Sequence, residues 1–476
     1  MAQQPKTPDA IVVGSGPNGL AAAITLARAG RAVRVLEAEE TVGGGIRSME
    51  LTLPGIVHDI CSAIYPMAIC SPFFRSLPLE EYGLRWIESP VQLAHPFDDG
   101  TAAVLMRSIE ETADSLGEDA AAYRALMGPL VADIEPVLGT ILGPLRPPRH
   151  PIAALRFGLP ALRSAAGFAA SRFTGAPARG LFGGIAAHSI LPLDALASAA
   201  IGLVLGMVGH AYGWPAAAGG SGRIADALVA CLRSYGGEIE PGVRVTDLDA
   251  LPLAKAVLFD VTPRQLLDIA GDKLPGWYRW QLGRFRHGPG IFKVDWALEG
   301  PIPWRVGACG RAATVHLGGT LEEIAAGEAA VARGGHPERP FVLLAQQSLF
   351  DPSRVPEGMQ AVWGYCHVPN GSTVDMTARI EAQIERFAPG FRDRILARHT
   401  AGPVDLERRN ANYFGGDIVG GMQDLCQIIA RPAPRWNPYT TPNRRIYLCS
   451  SSTPPGGGVH GMCGFHAARA ALRRAW

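Results

Sequence analysis

Short apolar runs and a longer alanine-rich stretch alternate near the start of the chain. Residues 11–13 are a short apolar run, which is typical of a buried parallel strand. The pattern then predicts a helix over 18–29 and a second strand over 33–36, where the apolar run ends at Glu37. This order predicts a strand–helix–strand unit with parallel strands.

Three glycines lie in the turn between that first strand and the helix. Gly14, Gly16 and Gly19 form G-x-G-x-x-G, in which the first permits a tight turn, the second admits a pyrophosphate and the third lets helix pack on strand. The free amides that begin the helix then face the phosphates. Glu37 follows Gly14 by 23 positions (37 − 14), close to the spacing of about 20 for an acid that binds a ribose hydroxyl. An acid there disfavours a 2′-phosphate, so NADP is not expected, while FAD and NAD both stay open.

The rest of the pattern predicts a return to this unit and a second sheet. Residues 71–159 have the apolar spacing of amphipathic helices. The return consists of a helix, two short strands and a buried strand, at 224–234, 238–240, 243–245 and 256–261. Strands at 291–298, 341–347 and 361–367 place a second sheet within 291–424. A strand at 445–449 then leads through a glycine-rich loop to a closing helix at 462–474, whose first turn is a further anion or dipole site.

Length and charge narrow the class of protein. The chain has 476 residues, too many for one core, so two or three domains are expected. Its net charge of +1 argues against nucleic acid as a partner. The sequence carries no basic, cleavable leader, so no secretory signal is expected. The apolar run 195–208 is shorter than the roughly 20 residues of a membrane span and predicts a buried helix along an apolar cavity.

The eight cysteines point away from metal chemistry. None of them forms a C-x-x-C pair, and their spacing suits no zinc site. We therefore expect buried, reduced thiols and no metal ion.

Glycine-rich stretches near the start, the middle and the end of the chain resemble those of a known family. They are 14–19 with Glu37 and 43–45, then 219–222, and finally 455–464. On these motifs the chain resembles the phytoene-desaturase-like family of the FAD-dependent amine-oxidase clan over nearly its whole length. More narrowly, it is similar to the pyridine-nucleotide-disulfide-oxidoreductase-domain-2 type. The resemblance implies non-covalent FAD, with adenosine on the N-terminal motif and isoalloxazine near the C-terminal loop.

The resemblance also implies which residues contact FAD. The turn holds the pyrophosphate, Glu37 the adenosine ribose, Gly44 and Gly45 the ribityl chain, and the loop before the last helix the flavin pyrimidine. The backbone of Val245 is offered to adenine. The full predicted set is Gly14, Ser15, Gly16, Pro17, Asn18, Gly19, Glu37, Ala38, Gly44, Gly45, Ile46, Arg47, Val245, Gly458, Val459, His460 and Gly461. Many clan members have Arg directly after the two glycines, where this chain has Gly45 and then Arg47, so the flavin contact there stays open.

Three residues are candidates for a catalytic role. Lys293 resembles the clan's lysine that reaches flavin N5 through a water, because the Pro-x-Trp-like element 301–304 follows it. The alternative is a lysine that is exposed on a strand edge. His58 and His210 are candidate bases, because imidazole titrates near neutral pH. For His58 the alternative is a core histidine satisfied by a carboxylate such as Asp59. Further candidate bases are His287, His316 and His367.

Together these features predict an α/β fold with two domains. A discontinuous Rossmann-like FAD-binding domain is expected from 1–70, 219–290 and 425–476. An α+β substrate domain with a second mixed sheet is expected from 71–218 and 291–424. Within it, 136–193 is predicted to be a basic, apolar helical lid or a membrane-facing segment.

The leading functional hypothesis is an FAD-dependent desaturase or dehydrogenase. It would remove hydride from a hydrophobic, lipid- or polyene-like small molecule, with the protein supplying binding, orientation and polarity. An amine oxidase is the second hypothesis, and its aromatic cage would come from Tyr212, Trp214 or Trp304. The third hypothesis is a redox-neutral double-bond isomerase, and the fourth is a non-catalytic flavin-binding partner protein. The oligomeric state stays open.

A basic segment raises the question of a membrane partner. Between Glu135 and Asp194 there is no acid, but there are six arginines: Arg146, Arg149, Arg156, Arg163, Arg172 and Arg179. The second to fourth are seven apart and would share one face of a continuous helix, although Pro160 interrupts it. Leu and Phe lie among them, which is typical of a helix on an anionic membrane surface. The alternative is a lid whose arginines lie in water or pair with acids elsewhere in the chain. We expect a cytoplasmic protein, which would be peripheral on the inner face of a membrane if this segment docks there.

Overall fold

The computed structural model describes residues 7–476. The described part of the chain contains sixteen strands, which are β1 (Ala10–Val13), β2 (Val33–Leu36), β3 (Ser48–Glu50), β4 (Val57–Asp59), β5 (Trp86–Ile87), β6 (Val91–Pro96), β7 (Ala102–Leu105), β8 (Ala216–Ala217), β9 (Glu238–Glu240), β10 (Ala256–Phe259), β11 (Gly290–Glu299), β12 (Ala312–Leu317), β13 (Val342–Ala345), β14 (Met359–Val368), β15 (Ile395–Ala401) and β16 (Ile446–Leu448).

The α-helices of the same residues lie between these strands and cover both larger sheets. They are α1 (Pro17–Arg28), α2 (Pro66–Ile69), α3 (Pro72–Arg75), α4 (Ile109–Asp114), α5 (Ala120–Ala132), α6 (Ile134–Ile141), α7 (Pro151–Ala161), α8 (Ala165–Arg172), α9 (Ala176–Ala186), α10 (Ala199–Ala211), α11 (Gly222–Ser234), α12 (Pro263–Ala270), α13 (Gly276–Gly283), α14 (Leu321–Ala332), α15 (Thr377–Phe387), α16 (Pro403–Arg409), α17 (Leu425–Ala430) and α18 (Met462–Arg474).

A five-stranded parallel sheet carries the N-terminal glycine turn. Its order is β16-β10-β1-β2-β9, and every neighbouring pair is parallel. All residues of β1, β10 and β16 are buried, as expected for parallel strands covered by helices on both faces. The predicted Rossmann-like α/β class is therefore confirmed. The strand expected at 243–245 is wrong, because that stretch is an irregular loop after β9.

Helices α1 and α18 pack closely against each other beside this sheet. The contact is close because Gly464 has no side chain: a Cβ there would lie 1.8 Å from the carbonyl oxygen of Asn18. Small residues also fill the facing side of α1, where Ala21, Ala22 and Ala23 are fully buried. The two ends of the described chain are thus held together next to the glycine turn.

A seven-stranded mixed sheet forms the second layer of the protein. Its order is β15-β11-β14-β13-β12-β6-β7, and only β6 and β12 run parallel. The expectation of helices alone over 71–159 is wrong, because β6 and β7 come from that stretch. All six residues of β6 are buried, so this strand lacks the alternation that would have marked it in the sequence.

Helices from the middle of the chain cover one face of the mixed sheet. The apolar run near residue 200 forms α10, in which ten residues are buried, as predicted. The basic segment does not form one continuous helix: α7 ends at Ala161, and Ser164 begins α8 by accepting a hydrogen bond from the amide of Gly167 at 3.3 Å. Arg149 and Arg163 therefore lie outside α7. Among residues 7–476, no helix has both the length and the apolar content to cross a membrane.

Candidate functional site

One cavity extends from the glycine turn to the mixed sheet. It has a volume of about 410 Å³ and is lined at one end by the residues that follow β1, β2 and β10. This position, at the carboxyl ends of parallel strands, is where open α/β sheets bind ligands. Thirteen predicted cofactor residues line it, namely Gly14, Ser15, Gly16, Pro17, Asn18, Glu37, Ala38, Gly44, Gly45, Arg47, Val245, Gly458 and Val459. The other four, Gly19, Ile46, His460 and Gly461, lie outside its lining.

The carboxylate of Glu37 connects the glycine turn to the end of β2 by hydrogen bonds. Its Oε2 accepts hydrogen bonds from the amide of Ser15 at 2.8 Å and from the Ser15 hydroxyl at 2.6 Å. Its Oε1 accepts from the amide of Glu39 at 3.0 Å. The carboxylate is buried apart from its cavity side, so it shapes the turn and is available to a ribose.

Asp260 is a site residue that the sequence reasoning missed. It follows β10 directly, and its Oδ2 accepts a hydrogen bond from the amide of Gly19 at 2.8 Å. A Cβ on Gly16 would lie 2.8 Å from the same oxygen, so this glycine is required by the protein's own carboxyl as well as by a ligand. Burial, together with the charge of Glu37, raises the pKa of Asp260 to about 7. The signal was an acid at the end of a buried parallel strand, equivalent in position to Glu37 after β2.

Gly45 and Arg47 both line the cavity, with Tyr413 beside them. A Cβ on Gly45 would lie 2.2 Å from the Tyr413 hydroxyl, so the phenol occupies the space that a side chain at this position would need. The guanidinium of Arg47 is fixed by donation from Nε to the carbonyl of Gly44 at 2.9 Å and from Nη2 to that of Arg409 at 2.6 Å. Arg47 thus presents a fixed positive charge at the wall.

The C-terminal loop reaches the cavity through Gly458 and Val459, whereas His460 lies behind them. The Nδ1 of His460 accepts from the amide of Met462 at 3.1 Å, and its carbonyl accepts from the Ser71 hydroxyl at 2.6 Å. Burial lowers the pKa of His460 to about 4, so it is neutral. The hydrogen bond to its carbonyl links the C-terminal loop to Ser71, the N-cap of α3.

Lys293 and His58 belong to a buried ionic cluster that does not line the cavity. Lys293 is 1% exposed on an interior strand, so it does not lie exposed on a strand edge. Its ammonium pairs with Asp295 and lies 5.3 Å from the ring centroid of Trp363, which does line the cavity. Nδ1 of His58 lies 3.7 Å from Asp295, while burial lowers the pKa of His58 to about 4. The neighbour Asp59 pairs instead with Arg354.

The structure also separates three of the other histidine candidates from the cavity. Nε2 of His210 lies 2.7 Å from the Tyr123 hydroxyl, and its Nδ1 lies 3.2 Å from the carbonyl of Arg107. His287 and His367 are held by Asp417 and Glu328. The described lining includes none of these three histidines, so their placement supports structural roles.

The aromatic wall differs from the one expected. Trp214 lines the cavity, but Tyr212 hydrogen-bonds Glu135 and Trp304 hydrogen-bonds Gln346, and neither reaches the lining. The wall comes instead from Trp363 and Tyr365, whose rings are stacked at 5.6 Å with an interplanar angle of 10°. Their i, i+2 spacing in the sequence could have indicated this pair, because such spacing places both side chains on one face of β14.

Comparison with known proteins agrees with this fold. Residues 12–72 match the model of the NAD(P)-binding Rossmann-like domain. The solved oxidoreductase of Methanosarcina mazei superposes with a TM-score of 0.68 at 15% identity over 98% of this chain and 99% of that one. Cyclohexylamine oxidase from Brevibacterium oxydans gives 0.60 at 15% identity, over 98% and 99% of the two chains. The chain therefore has the amine-oxidase-like fold of flavin-type oxidoreductases.

A relative of nearly equal length narrows this class. Pyridine nucleotide-disulfide oxidoreductase domain-containing protein 2 of Rattus norvegicus is 26% identical, over 98% of this chain and 93% of its own length. The chain is a homologue of that protein, so the narrower of the two resemblances, to the pyridine-nucleotide-disulfide-oxidoreductase-domain-2 type, is confirmed.

Proposed function

We propose that this protein binds FAD non-covalently and oxidises a hydrophobic small molecule, as a desaturase or dehydrogenase of the phytoene-desaturase type. The observation that carries the proposal is a single cavity with two unlike ends. One end has the glycine turn, Glu37 and Arg47, and the other is walled by apolar and aromatic side chains. When bound, the flavin supplies a hydride acceptor.

The residues at the first end suit a dinucleotide. The turn at Gly14 and Gly16 leaves room for a pyrophosphate, and Glu37 has a carboxylate edge toward the cavity for ribose hydroxyls. The fixed charge of Arg47 and the loop at Gly458 lie further along the same cavity. Buried Asn18 adds a side-chain oxygen, Oδ1, that has no partner among the described residues and can accept a hydrogen bond from a ligand.

At the second end the chain's own role is to hold an oily molecule and exclude water. Ile201, Val204 and Leu205 of α10 line this part, facing Leu343 of the mixed sheet. Such walls favour apolar ligands through burial of their surface. An amine oxidase is the second candidate, and the stacked pair of Trp363 and Tyr365 is the observation that favours it.

The test begins with the cofactor. The purified protein should be yellow and should release FAD on acid treatment. Glu37→Ala should weaken FAD binding, since a hydrogen bond to a charged group is worth about 1.5–3 kcal/mol. Glu238→Ala is the matched control, because Glu238 is exposed on β9 and does not line the cavity. Equal FAD content in wild type and Glu37→Ala would contradict the assignment.

The reaction class follows from anaerobic titration with candidate substrates. Net bleaching of the flavin by hydrophobic molecules supports the desaturase or dehydrogenase, and bleaching by amines supports the oxidase. Turnover without net bleaching supports an isomerase. A bound flavin that responds to neither supports a non-catalytic partner protein.

We further propose that the outer face of α7 docks on an anionic membrane. Its inner face buries Ala153, Phe157 and Ala161. The outer face carries a stripe of exposed aliphatic side chains, the α7 stripe, consisting of Ile152 (75% exposed), Leu155 (58%), Leu159 (61%) and Leu162 (51%). Exposed apolar patches of this kind mark interaction surfaces. Helix α7 packs on α10, which lines the cavity, so the stripe lies outside the substrate end.

The charges beside the α7 stripe favour an anionic lipid surface over a second copy of the chain. Arg149 and Arg163 flank the helix, and residues 136–193 hold no acid. A symmetric dimer through this face would bring arginines of both copies together. An anionic headgroup layer instead attracts each of them by about 1 kcal/mol. Arg156 contributes less, because it pairs with Asp133.

Liposome co-sedimentation tests the docking surface. Wild type should bind vesicles of phosphatidylcholine with phosphatidylglycerol at low salt and lose binding at high salt. Leu155→Ser with Leu159→Ser, and Arg149→Glu, should each reduce binding. Leu253→Ser is the control, because Leu253 is 78% exposed away from the α7 stripe. Equal binding by all variants, or no binding by wild type, would contradict the docking surface and would favour the alternative of a basic lid without a membrane contact.

A further inference from the structure

Polar atoms without partners lie at the aromatic end of the cavity. Oγ1 of Thr314 and Nε1 of Trp363 are buried and have no hydrogen-bond partner among the described residues. Thr314 is 2% exposed and Trp363 is 3% exposed, yet both line the cavity. Buried polar groups are nearly always paired, so two unpaired ones at one cavity wall call for a ligand.

The strand register places these atoms on one face of the mixed sheet. Thr314 is opposite Ala345, which is opposite Trp363, so the three residues form one cross-strand row. In the next row His316, Leu343 and Tyr365 are aligned in the same way. Residues two apart on a strand point to the same side, so both rows face the cavity side of the sheet.

A pair of histidines completes this wall. His188 lines the cavity, and its Nε2 lies 2.9 Å from Nε2 of His316. One ring donates to the other, which leaves Nδ1 of His188 for a ligand. Burial lowers the pKa of His188 to about 3 and that of His316 well below its usual range. Both rings are therefore neutral, and the pair offers hydrogen bonds without charge.

No charged side chain among the described lining residues lies at this end. The charged residues that line the cavity are grouped around the glycine turn and the loops beside it: Glu37, Glu39, Arg47, Arg244, Asp260 and Arg409. Contacts between them, such as Arg244 with Glu39, tie this group together. Asp295 is opposite Trp363 in the same cross-strand row, but it is paired with Lys293, and neither residue lines the cavity. An ammonium group would therefore find no unpaired carboxylate on the aromatic wall.

From these observations we propose that the substrate is an uncharged, apolar molecule that carries a hydroxyl or carbonyl oxygen. Trp363 Nε1 is a donor only, so its ligand must supply an acceptor atom. The Thr314 hydroxyl and the His188 imidazole can each act as a donor or an acceptor toward an oxygen of the ligand. The inference rests on the proposed function and narrows its substrate: a plain hydrocarbon would leave these atoms unpaired, and a protonated amine would present a donor and a charge.

Four probes with one carbon skeleton test this substrate class: menthol, menthone, p-menthane and protonated menthylamine. Each is titrated into the FAD-loaded protein near neutral pH, with calorimetry and the flavin absorbance as readouts. Menthol or menthone should bind at least about tenfold more tightly than p-menthane and the amine, since a hydrogen-bonded oxygen is lost in both of these. Equal or tighter binding of the hydrocarbon or the amine, or no binding of either oxygenated probe, overturns the proposal.

Two variants test whether the aromatic wall causes the preference for oxygenated probes. Thr314→Val and Trp363→Phe should reduce the ratio of menthol to p-menthane affinity, and Thr314→Val should also raise the melting temperature of the ligand-free protein by removing an unpaired hydroxyl. Thr441→Val is the control: its hydroxyl is buried but bonded to the carbonyl of Asn443, so stability should fall with the ratio unchanged. An unchanged ratio in both wall variants overturns the assignment. FAD content, measured on each sample, separates this failure from failure of the proposed function.

Discussion

At the scale of single residues, Gly16 has contacts that leave no space for a side chain. A Cβ there would meet the Asp260 carboxyl at 2.8 Å, and a valine would also enter the space of a bound pyrophosphate. We expect Gly16→Val to lose FAD binding, measured as the flavin-to-protein absorbance ratio after gel filtration. Gly139→Ala is the control, because no atom lies within 4 Å of its added Cβ. Full flavin content in Gly16→Val would contradict the site.

Asp260 should make FAD binding depend on pH. Its pKa is raised to about 7, so the carboxyl is neutral below that pH and negative above it. A negative Asp260 beside the turn repels a pyrophosphate, so the dissociation constant for FAD should rise as pH increases through 7. Asp260→Asn should remove this dependence. Fluorescence titration of the apoprotein from pH 6 to pH 8.5 measures both, and identical pH profiles would show that Asp260 does not act on the phosphates.

The residue scale also shows how far the sequence alone can predict the site. Gly14 and Glu37 could be assigned because both lie in a short local motif whose spacing follows from strand, turn and helix geometry. Gly458 was assigned through the resemblance of the C-terminal loop to a known family. Asp260 and Tyr413 were not assigned, because they come from distant segments and reach the cavity through strand order and loop packing. The three catalytic candidates lie outside the described lining for the same reason: residue type does not give tertiary position.

At the scale of elements, the contact between α1 and α18 gives the sharpest test of packing. A methyl group on Gly464 would lie 1.8 Å from the Asn18 carbonyl oxygen, so the helices would have to separate. We expect Gly464→Ala to destabilise the protein by about 1–3 kcal/mol or more. Gly139→Ala in α6 is the matched control: no atom lies within 4 Å of the added Cβ, so the protein should gain up to about 1 kcal/mol from helix propensity. Denaturant unfolding of both variants measures the difference, and equal effects would contradict the close contact.

Helices and strands could be predicted where their pattern of apolar and polar residues is clear. The bounds of α18 match the predicted 462–474, because amphipathic spacing and the glycine-rich loop before the helix mark it. Strands β6 and β7 were missed, since β6 is buried throughout and β7 is mostly alanine, valine and leucine. Burial on both faces removes the alternation on which a strand prediction depends.

At the scale of the whole molecule, buried histidines should control stability in acid. Burial lowers the pKa to about 4 or about 3 in six of them: His58, His95, His188, His210, His460 and His466. The unfolded chain binds these protons near pH 6.5, so it holds more protons than the folded protein between about 6.5 and 4. Stability must therefore fall as pH falls through that window, by up to about 1.4 kcal/mol per pH unit for each histidine. Asp260 has the opposite effect on stability. Because its pKa is raised in the folded protein, the folded protein holds one more proton there than the unfolded chain over this pH range.

Thermal unfolding between pH 7.5 and pH 4.5 measures this dependence. The melting temperature should drop steeply below pH 6.5, and His210→Gln should flatten the curve while keeping a hydrogen bond to Tyr123. His150→Gln is the control, because His150 is exposed. A melting temperature that is constant from pH 6.5 to pH 4.5 would contradict neutral burial of these histidines.

The order of the parallel sheet has a consequence for how the protein is made. Strand β10 pairs with β16, which lies almost 190 residues later (446 − 257 = 189), and the loop at Gly458 follows β16. On the ribosome, β1 and β2 emerge long before the strand and the loop that complete the cavity. Because domains fold as their segments become available, the cavity around the glycine turn is complete only after β16 and the loop at Gly458 have been made. Under the proposed function, binding of the nucleotide is therefore a late event, and a chain stalled or truncated before β16 lacks part of the cavity wall.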